Sequence, residues 1–382
     1  MARLGDVCNI RGGYAFKSEM FSNNGIPVIR IGSITENGLN IDDNICFSEE
    51  FWNNNENYRV NKDDILIAMS GATVGKSCIN QLSDRLLLNQ RVASVSSKKG
   101  VNNSYIYYFV SSPSFMNYVL KQSVGCAQPN ISIKQLNDIQ LTIPTIDEQN
   151  KIVSVLNKAT KLIDDRKQQL VKLDELVKAR FVEMFGEPME NPHNYLVKRI
   201  DEVAKLVKGI TYSPEEVCDK DGIVVLRSSN IKGSTFDLQD IVTISKKVSS
   251  EKLVKENDIL MCNRNGSARL VGKVALIPKL DEDMTFGTFM TIVRSPIYKY
   301  LFVFFQTEAF RRQIQFQTAV AINQISLPLL ASVTVPIPPK ELQNQFAAFV
   351  EQVDKTKFAV QKALDEAQTL FNSLMQQYFG YE

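Results

Sequence analysis

The chain has a single histidine, His193, and that scarcity excludes more chemistry than any residue it holds in quantity. A Ser-His nucleophile or a histidine acid–base pair needs that ring in a structured cleft. His193 instead lies in EPMENPHNY (Glu187–Tyr195), a proline-bearing stretch that reads as a solvated linker. Cysteine is also sparse: Cys8, Cys46, Cys78, Cys126, Cys218 and Cys262 are far apart with no CxxC pair. That spacing argues against a Cys/His zinc site or a disulfide scaffold and fits a reducing cytoplasm. No apolar run approaches the roughly 18 residues needed to span a bilayer, and the opening MARLGDVCNIRGG lacks the apolar core of a signal peptide. Charge of one sign is missing as well. With 44 Lys+Arg against 42 Asp+Glu, the net charge is +2, so any surface for nucleic acid must be local. What remains is ordinary globular material: 382 residues, 44% hydrophobic, enough for two or three domains.

The informative feature is an internal repeat. Laying residue n on residue n+194 pairs Asn130-Ile131-Ser132-Ile133 with Gln324-Ile325-Ser326-Leu327, Pro144 with Pro338, Gln149 with Gln343, and Phe185-Gly186 with Phe379-Gly380. Upstream the offset drifts by a few residues, yet Leu4-Gly5-Asp6-Val7 still meets Ile200-Asp201-Glu202-Val203, and VIRIGSI from Val28 meets VLRSSNI from Val225. DDILIAMSGATVGK from Asp63 likewise meets NDILMCNRNGSARLVGK from Asn257. The chain is therefore written twice, each time as a mixed globular unit followed by a helical segment.

Period identifies the helical segments. Apolar residues step by 4 and 3 through Ile152, Leu156, Ala159, Ile163, Leu170, Leu173, Val177 and Met184, and again through Phe346, Val350, Val353, Val360, Leu364, Ala367, Phe371 and Leu374. Arg166, Arg180 and Lys357 interrupt the series. A 3.5-residue period held over about five heptads without Gly or Pro is a coiled-coil seam, so each helix wants a partner. At 1.5 Å per residue such a segment is a rod of about 55 Å. A bundle core with no further role is the bland alternative; the recurrence of the rod after each unit favours a spacer. The globular units read as short β-branched strands with Gly/Asn turns, then a helical patch whose aromatics (Tyr105, Tyr108, Phe109, Phe115; Tyr300, Phe304, Phe305, Phe310) belong to the core.

Two motifs suggest catalysis and fail. SGATVGKS (Ser70–Ser77) approaches a phosphate-binding loop, but Ser70 stands where Gly or Ala is needed, the following residues read as strand rather than helix, and the repeat keeps only Val-Gly-Lys. NPHNY (Asn191–Tyr195) approximates the tetrapeptide of adenine methyltransferases without its second proline, and no Gly-rich methyl-donor motif precedes it. Hydrogen-bonding chemistry is left. The loops carry Arg30, Ser70, Thr73, Lys76, Gln90 and Arg91 in the first half and Arg227, Asn263, Arg264, Asn265, Ser267 and Arg269 in the second. Arg reads guanine edges, Asn and Gln read adenine, and Lys and Ser hold phosphate. Taken alone, such loops in an Asn-rich chain read by default as a solvated surface.

Leu4-Gly5-Asp6-Val7 with Arg11-Gly12-Gly13-Tyr14, Gln128-Pro129-Asn130-Ile131-Ser132, Ile143-Pro144 with Glu148-Gln149, and Phe185-Gly186 occur in order and are echoed in the second half, although Val320-Ala321-Ile322-Asn323-Gln324 lacks the proline. Over essentially its whole length the chain resembles the specificity (S, HsdS-like) subunits of type I restriction-modification systems. The resemblance implies an α+β chain: two globular α/β target recognition domains joined by two long antiparallel coiled-coil helices, a pseudo-two-fold internal repeat. The antiparallel sense comes from the resemblance only. The expected boundaries are recognition domain 1 at 1–145, central helix 146–186, linker 187–196, recognition domain 2 at 197–338 and C-terminal helix 339–382. The twelve loop residues become the expected DNA-binding set; Ile152, Leu156, Ile163, Leu170, Leu173, Val177, Phe346, Val350, Val360, Leu364, Phe371 and Leu374 become the partner and helix seam. The resemblance further implies a non-catalytic cytoplasmic subunit without metal or cofactor that reads an asymmetric bipartite site in double-stranded DNA. Its partners would be two methyltransferase subunits using S-adenosylmethionine and restriction subunits using ATP and Mg. A stand-alone interaction scaffold, or a binding module for methylation without restriction, is the alternative.

Overall fold

The computed structural model describes residues 1–35, 38–41, 45–122, 129–219, 222–315 and 323–380. Gln128 and residues 320–322, singled out above, lie outside them. The chain forms two compact units: Met1–Lys167 with Lys362–Glu382, and Gln168–Gln361.

The first unit holds strands β1 Cys8–Gly12, β2 Ile26–Ile29, β3 Ile65–Ala68, β4 Ser77–Ile79, β5 Leu86–Leu88 and β6 Val92–Ser97. An antiparallel sheet runs β1-β6-β3-β4, and a second sheet is built on the parallel pair β2 and β5, with Leu87 opposite Val28. The second unit repeats this plan with β7 Lys205–Lys208, β8 Ile223–Leu226, β9 Ile259–Cys262, β10 Val274–Leu276, β11 Met284–Phe286 and β12 Met290–Arg294. Its sheets run β7-β12-β9-β10 and place β8 parallel to β11. The central strands β3 and β9 are buried along their whole length, which explains their unbroken apolar sequences ILIA and ILMC. The expected aromatics of both helical patches, Tyr105 and Phe115 and their counterparts Tyr300 and Phe310 among them, are buried.

The same small devices fix both copies. Asp63 and Asn257 take φ of 67° and 68° in the turns before β3 and β9, a left-handed conformation that Asn and Asp tolerate. The next residue, Asp64 or Asp258, is buried and accepts a turn N–H, from Asn61 at 3.0 Å or Lys255 at 2.7 Å. Each carboxylate also meets an arginine, but from different strands: Arg11 of β1 at 2.9 Å, and Arg294 of β12 in a two-pronged contact at 2.7 Å. Leu4 and Ile200 are fully buried, and their N–H groups donate to Ile139 and Val333. That is the structural content of the paired LGDV and IDEV motifs.

The two long helices are Ile146–Phe185 and Lys340–Phe379, 40 residues each, about 60 Å at the α-helical rise. Thr145 and Glu148 form a reciprocal cap at the first helix start, and Gln149 and Gln343 donate to the carbonyls of Pro144 and Pro338 at 2.9 and 2.7 Å. The first helix stops at Gly186, whose φ of 73° suits glycine; a Cβ there would lie 2.2 Å from the Pro192 ring.

The helices contribute to both cores, in opposite senses. In the first unit Val153 and Leu156, from the start of one helix, share a core with Met375 and Phe379, from the end of the other. In the second unit Val177, Phe181 and Phe185, from an end, share a core with Phe346, Val350 and Val353, from a start. Starts therefore meet ends within each unit, and the two helices are antiparallel. The closing phenylalanines do equivalent work: Phe379 lies 5.1 Å from Tyr105, and Phe185 lies 5.0 Å from Tyr300, ring centre to ring centre. Tyr105 and Tyr300 in turn donate to the carbonyls of Thr142 and Pro336, and burial pushes the Tyr300 phenol up from its ordinary pKa.

The periodic reading is too narrow at these ends. Leu156, Ile163, Val177, Phe346 and Val350 of the expected seam are buried, while Ile152, Leu170, Leu173, Val360, Leu364, Phe371 and Leu374 are half-buried. Val153, Phe181, Phe185, Met375 and Phe379 are also buried and were not in the series. A helix end gripped by both a partner helix and a globular core needs an apolar stripe wider than a two-position seam. Of the residues that interrupt the series, Lys357 pairs with Asp174 across the two helices of the second unit, and Arg180 lies 5.8 Å from the Phe349 ring. Among the described residues, no helix is long and apolar enough to cross a membrane.

Phe379→Ala should cost the first unit about 3–5 kcal/mol, the usual loss for emptying a buried aromatic site. Phe358→Ala, at a ring 76% exposed, should change stability by less than ~0.5 kcal/mol. Denaturant titration of the two variants checks the difference. Asp258→Ala should cost about 3–5 kcal/mol because Arg294 loses its buried partner, and Asp258→Leu combined with Arg294→Met should recover most of that loss in the same assay.

Candidate nucleic-acid interface

In each unit the expected loops converge at the carboxyl ends of the parallel strand pair. Asn89 N–H donates to the Ile29 carbonyl at 3.1 Å, so Arg30, which follows β2, emerges beside Asn89-Gln90-Arg91, which follow β5. Met69 donates to the Arg91 carbonyl at 2.8 Å, bringing in the loop from Ser70 to Lys76. Ser70 is bridged to Asn130, and Ile131 N–H donates to Met69 at 2.9 Å, so the Asn130-Ile131-Ser132 motif pins the base of that loop. An open cleft of about 410 Å³ results, lined by Ser70, Gln90, Arg91 and the segment from Pro129 to Ser132. Arg30, Gln90 and Arg91 are exposed; Ser70, Thr73 and Lys76 are half-buried. A short 3-10 turn, Gly71–Thr73, precedes β4, so a strand stands where a phosphate-binding loop would open a helix.

The second unit builds the same junction with other side chains. Gly287 N–H donates to Leu226 at 2.9 Å beside Arg227, and Asn263 N–H donates to the Phe289 carbonyl at 3.0 Å. Arg264 is bridged to Gln324, and Ile325 N–H donates to Asn263 at 2.7 Å. By these backbone partners Arg264 stands where Ser70 stands, and Phe289 where Arg91 stands. The extra Asn265-Gly266-Ser267 is held on three sides: Asn265 Nδ2 donates to Ser228 Oγ at 3.1 Å, Ser267 N–H donates to Asn265 Oδ1 at 3.0 Å, and Asn323 Nδ2 donates to the Gly266 carbonyl at 3.2 Å. Arg227, Asn263, Arg264, Asn265 and Ser267 are thus brought together; Arg269 is exposed in the following 3-10 turn.

The arginines differ in commitment. Arg227 Nη2 donates to Asp240 at 2.9 Å, whereas the Arg264 guanidinium lies 5.0 Å from the centre of the Phe289 ring. Nearby, the Gln239 N–H and the Lys232 ammonium hold the Asp237 carboxyl below the ordinary carboxylate range. Among the described residues, Ser70 Oγ, Thr73 Oγ1, Ser229 Oγ and Asn263 Oδ1 are buried side-chain atoms without a hydrogen-bond partner, hydrogen-bonding capacity left unused in these loops. The same residues hold no group of three His, Cys, Asp or Glu side chains placed to bind a metal. Sequence reading did not find Phe289 or Asp240; neither carries a signal without knowledge of which loops meet.

The family model described as "Type I restriction modification DNA specificity domain" matches residues 1–175 and 192–367, once for each copy of the repeat. The EcoBI specificity subunit of Escherichia coli is 24% identical, covering 98% of this chain and 83% of its own, and the EcoKI specificity subunit of E. coli K12 is 22% identical, covering 98% and 86%. Among solved structures, the type I restriction-modification S subunit of M. genitalium superposes with a TM-score of 0.52 at 13% identity, over 100% of this chain and 96% of that one. A chain from a structure of type I complex assembly and conformational transition gives 0.55 at 15% identity, over 99% and 96%. With the family model matching both halves of a twice-written fold, the chain belongs to the type I restriction-modification specificity subunits.

Proposed function

We propose that residues 1–145 and 197–338 each read one half-site of an asymmetric bipartite target in double-stranded DNA, through the loops at the ends of β2 and β5 and of β8 and β11. The helical segments 146–186 and 339–382 set the unread spacing and dock two methyltransferase subunits and the restriction subunits. Methyl transfer from S-adenosylmethionine, ATP hydrolysis and strand cutting belong to those partners; this chain contributes recognition and assembly and works in the cytoplasm. The observation that carries the proposal is that the two units share backbone connections at the loop junction but exchange its side chains, Ser70 and Arg91 in one against Arg264 and Phe289 in the other. Equal scaffolds with unequal tips are what an asymmetric site read by one fold requires. The near-zero net charge fits a subunit that takes much of its phosphate affinity from its partners.

Adenine methylation mapped across a host genome tests this directly. Replacing residues 1–145 by those of a relative should change one half-site and leave the other and the spacer intact; a change in both halves, or in neither, would contradict it. Inserting one heptad, about 10 Å, into each long helix should lengthen the unread spacer by roughly three base pairs. An unchanged spacer in the same sequencing experiment would show that the helices do not set it.

A further inference from the structure

We propose that Arg264 reads a guanine in the half-site of the second recognition domain and that Phe289 is the residue that positions it. The inference rests on the DNA-reading function proposed above and assigns that function to one side chain and one base.

Arg264 is exposed, and its guanidinium lies 5.0 Å from the centre of the Phe289 ring, a ring itself 51% exposed. Among the described residues that guanidinium makes no ion pair or hydrogen bond, so its donors are uncommitted. Arg227 is engaged by Asp240 and Arg294 by Asp258, while Arg269, exposed in the next 3-10 turn, stacks on no ring among the described residues. The backbone beneath Arg264 is fixed from both sides, by its N–H to the Phe289 carbonyl at 3.2 Å and by the bridge to Gln324. Asn265, the next residue, is tied to Ser228. A long side chain on a fixed backbone, stacked on a ring, has little rotational freedom left to lose on binding.

The guanidinium fork matches the O6 and N7 acceptors of guanine in the major groove, which makes arginine to guanine the commonest specific contact, and a lysine lacks its rigid planar fork and cannot stack on the ring in the same way. The same fork would fit a phosphate, and the two contacts are told apart by whether its loss relaxes one base position or weakens all sites evenly. In the first domain the equivalent positions hold Ser70 and Arg91, so an arginine there departs from the other strand end. The two domains therefore present exposed arginines from different points of one scaffold.

The test uses the chain assembled with the modification subunits of its own system, expressed in a host without adenine methylation. Methylated motifs are mapped for the wild type, Arg264→Lys, Arg264→Gln and Phe289→Leu. The wild-type motif should contain a guanine in the half-site assigned to the second domain by exchange of residues 1–145. Both Arg264 variants should relax that one position, losing roughly five- to hundredfold of its preference, while the other half-site stays unchanged. Phe289→Leu should relax the same position by less. A specific wild-type motif that survives intact in Arg264→Gln, with methylation lowered evenly at all sites and a shallower salt dependence, would mark a phosphate contact and overturn this inference alone. Relaxation at a different base in Phe289→Leu would overturn the positioning role. Methylation without sequence preference by the wild-type complex would overturn the proposed function, and the inference with it.

Discussion

Each globular core is closed by ends of the two long helices. Phe379 completes the core of the first unit against Tyr105, and Phe185 completes that of the second against Tyr300. The first unit is thus not a contiguous stretch of sequence, since Lys362–Glu382 returns to it from the end of the second helix, whereas the second unit runs unbroken from Gln168 to Gln361 and takes the end of one helix and the start of the other. The energy at stake is ordinary hydrophobic burial of large rings, several kcal/mol at each site. Its consequence is architectural, because burial of these ends fixes the direction and register of both helices at once. The same constraint explains why Phe-Gly closes each half: the aromatic ring is a core residue, and at Gly186 the left-handed turn ends the helix immediately behind it.

Above that shared frame, the parts that differ lie where change is cheapest. The sheets, the buried Asp64 and Asp258, the glutamine clamps at Pro144 and Pro338, and the junctions at Asn130 and Gln324 recur. The loop tips do not. Three inserted residues in the second unit are absorbed by hydrogen bonds from Asn265 and Asn323 without disturbing β9 or β10. Even inside the core the duplication has drifted, since the arginine that neutralises the buried aspartate comes from β1 in one copy and β12 in the other. What the two copies preserve is an environment for a charge rather than a given pair of residues.

Much of this was legible in the amino-acid order. The repeat indicated two like units, and the 3.5-residue period indicated two long helices. The loops that meet at the interface were also recognisable, from their Arg, Asn and Ser content following predicted strands. Two things were not. Phe181, Phe185 and Phe379 fall off the heptad series because the helix ends are buried on two sides, and a single period describes only one face. Arg264 and Phe289, or Arg227 and Asp240, are partners across separate loops, and no local pattern pairs residues that only strand pairing brings together. Sequence periodicity reports which faces are apolar; it does not report which loop tips touch.

The central claim is that the paired loop junctions are the surfaces that meet DNA. Amide hydrogen exchange of the assembled methylating complex, with and without a duplex carrying its methylated motif, measures this directly. The account predicts protection of residues 70–76 and 89–91 in the first unit and 227–230 and 263–269 in the second, lost for one set only when the corresponding half-site is scrambled. Protection confined to the long helices, or indifferent to either half-site, would contradict it.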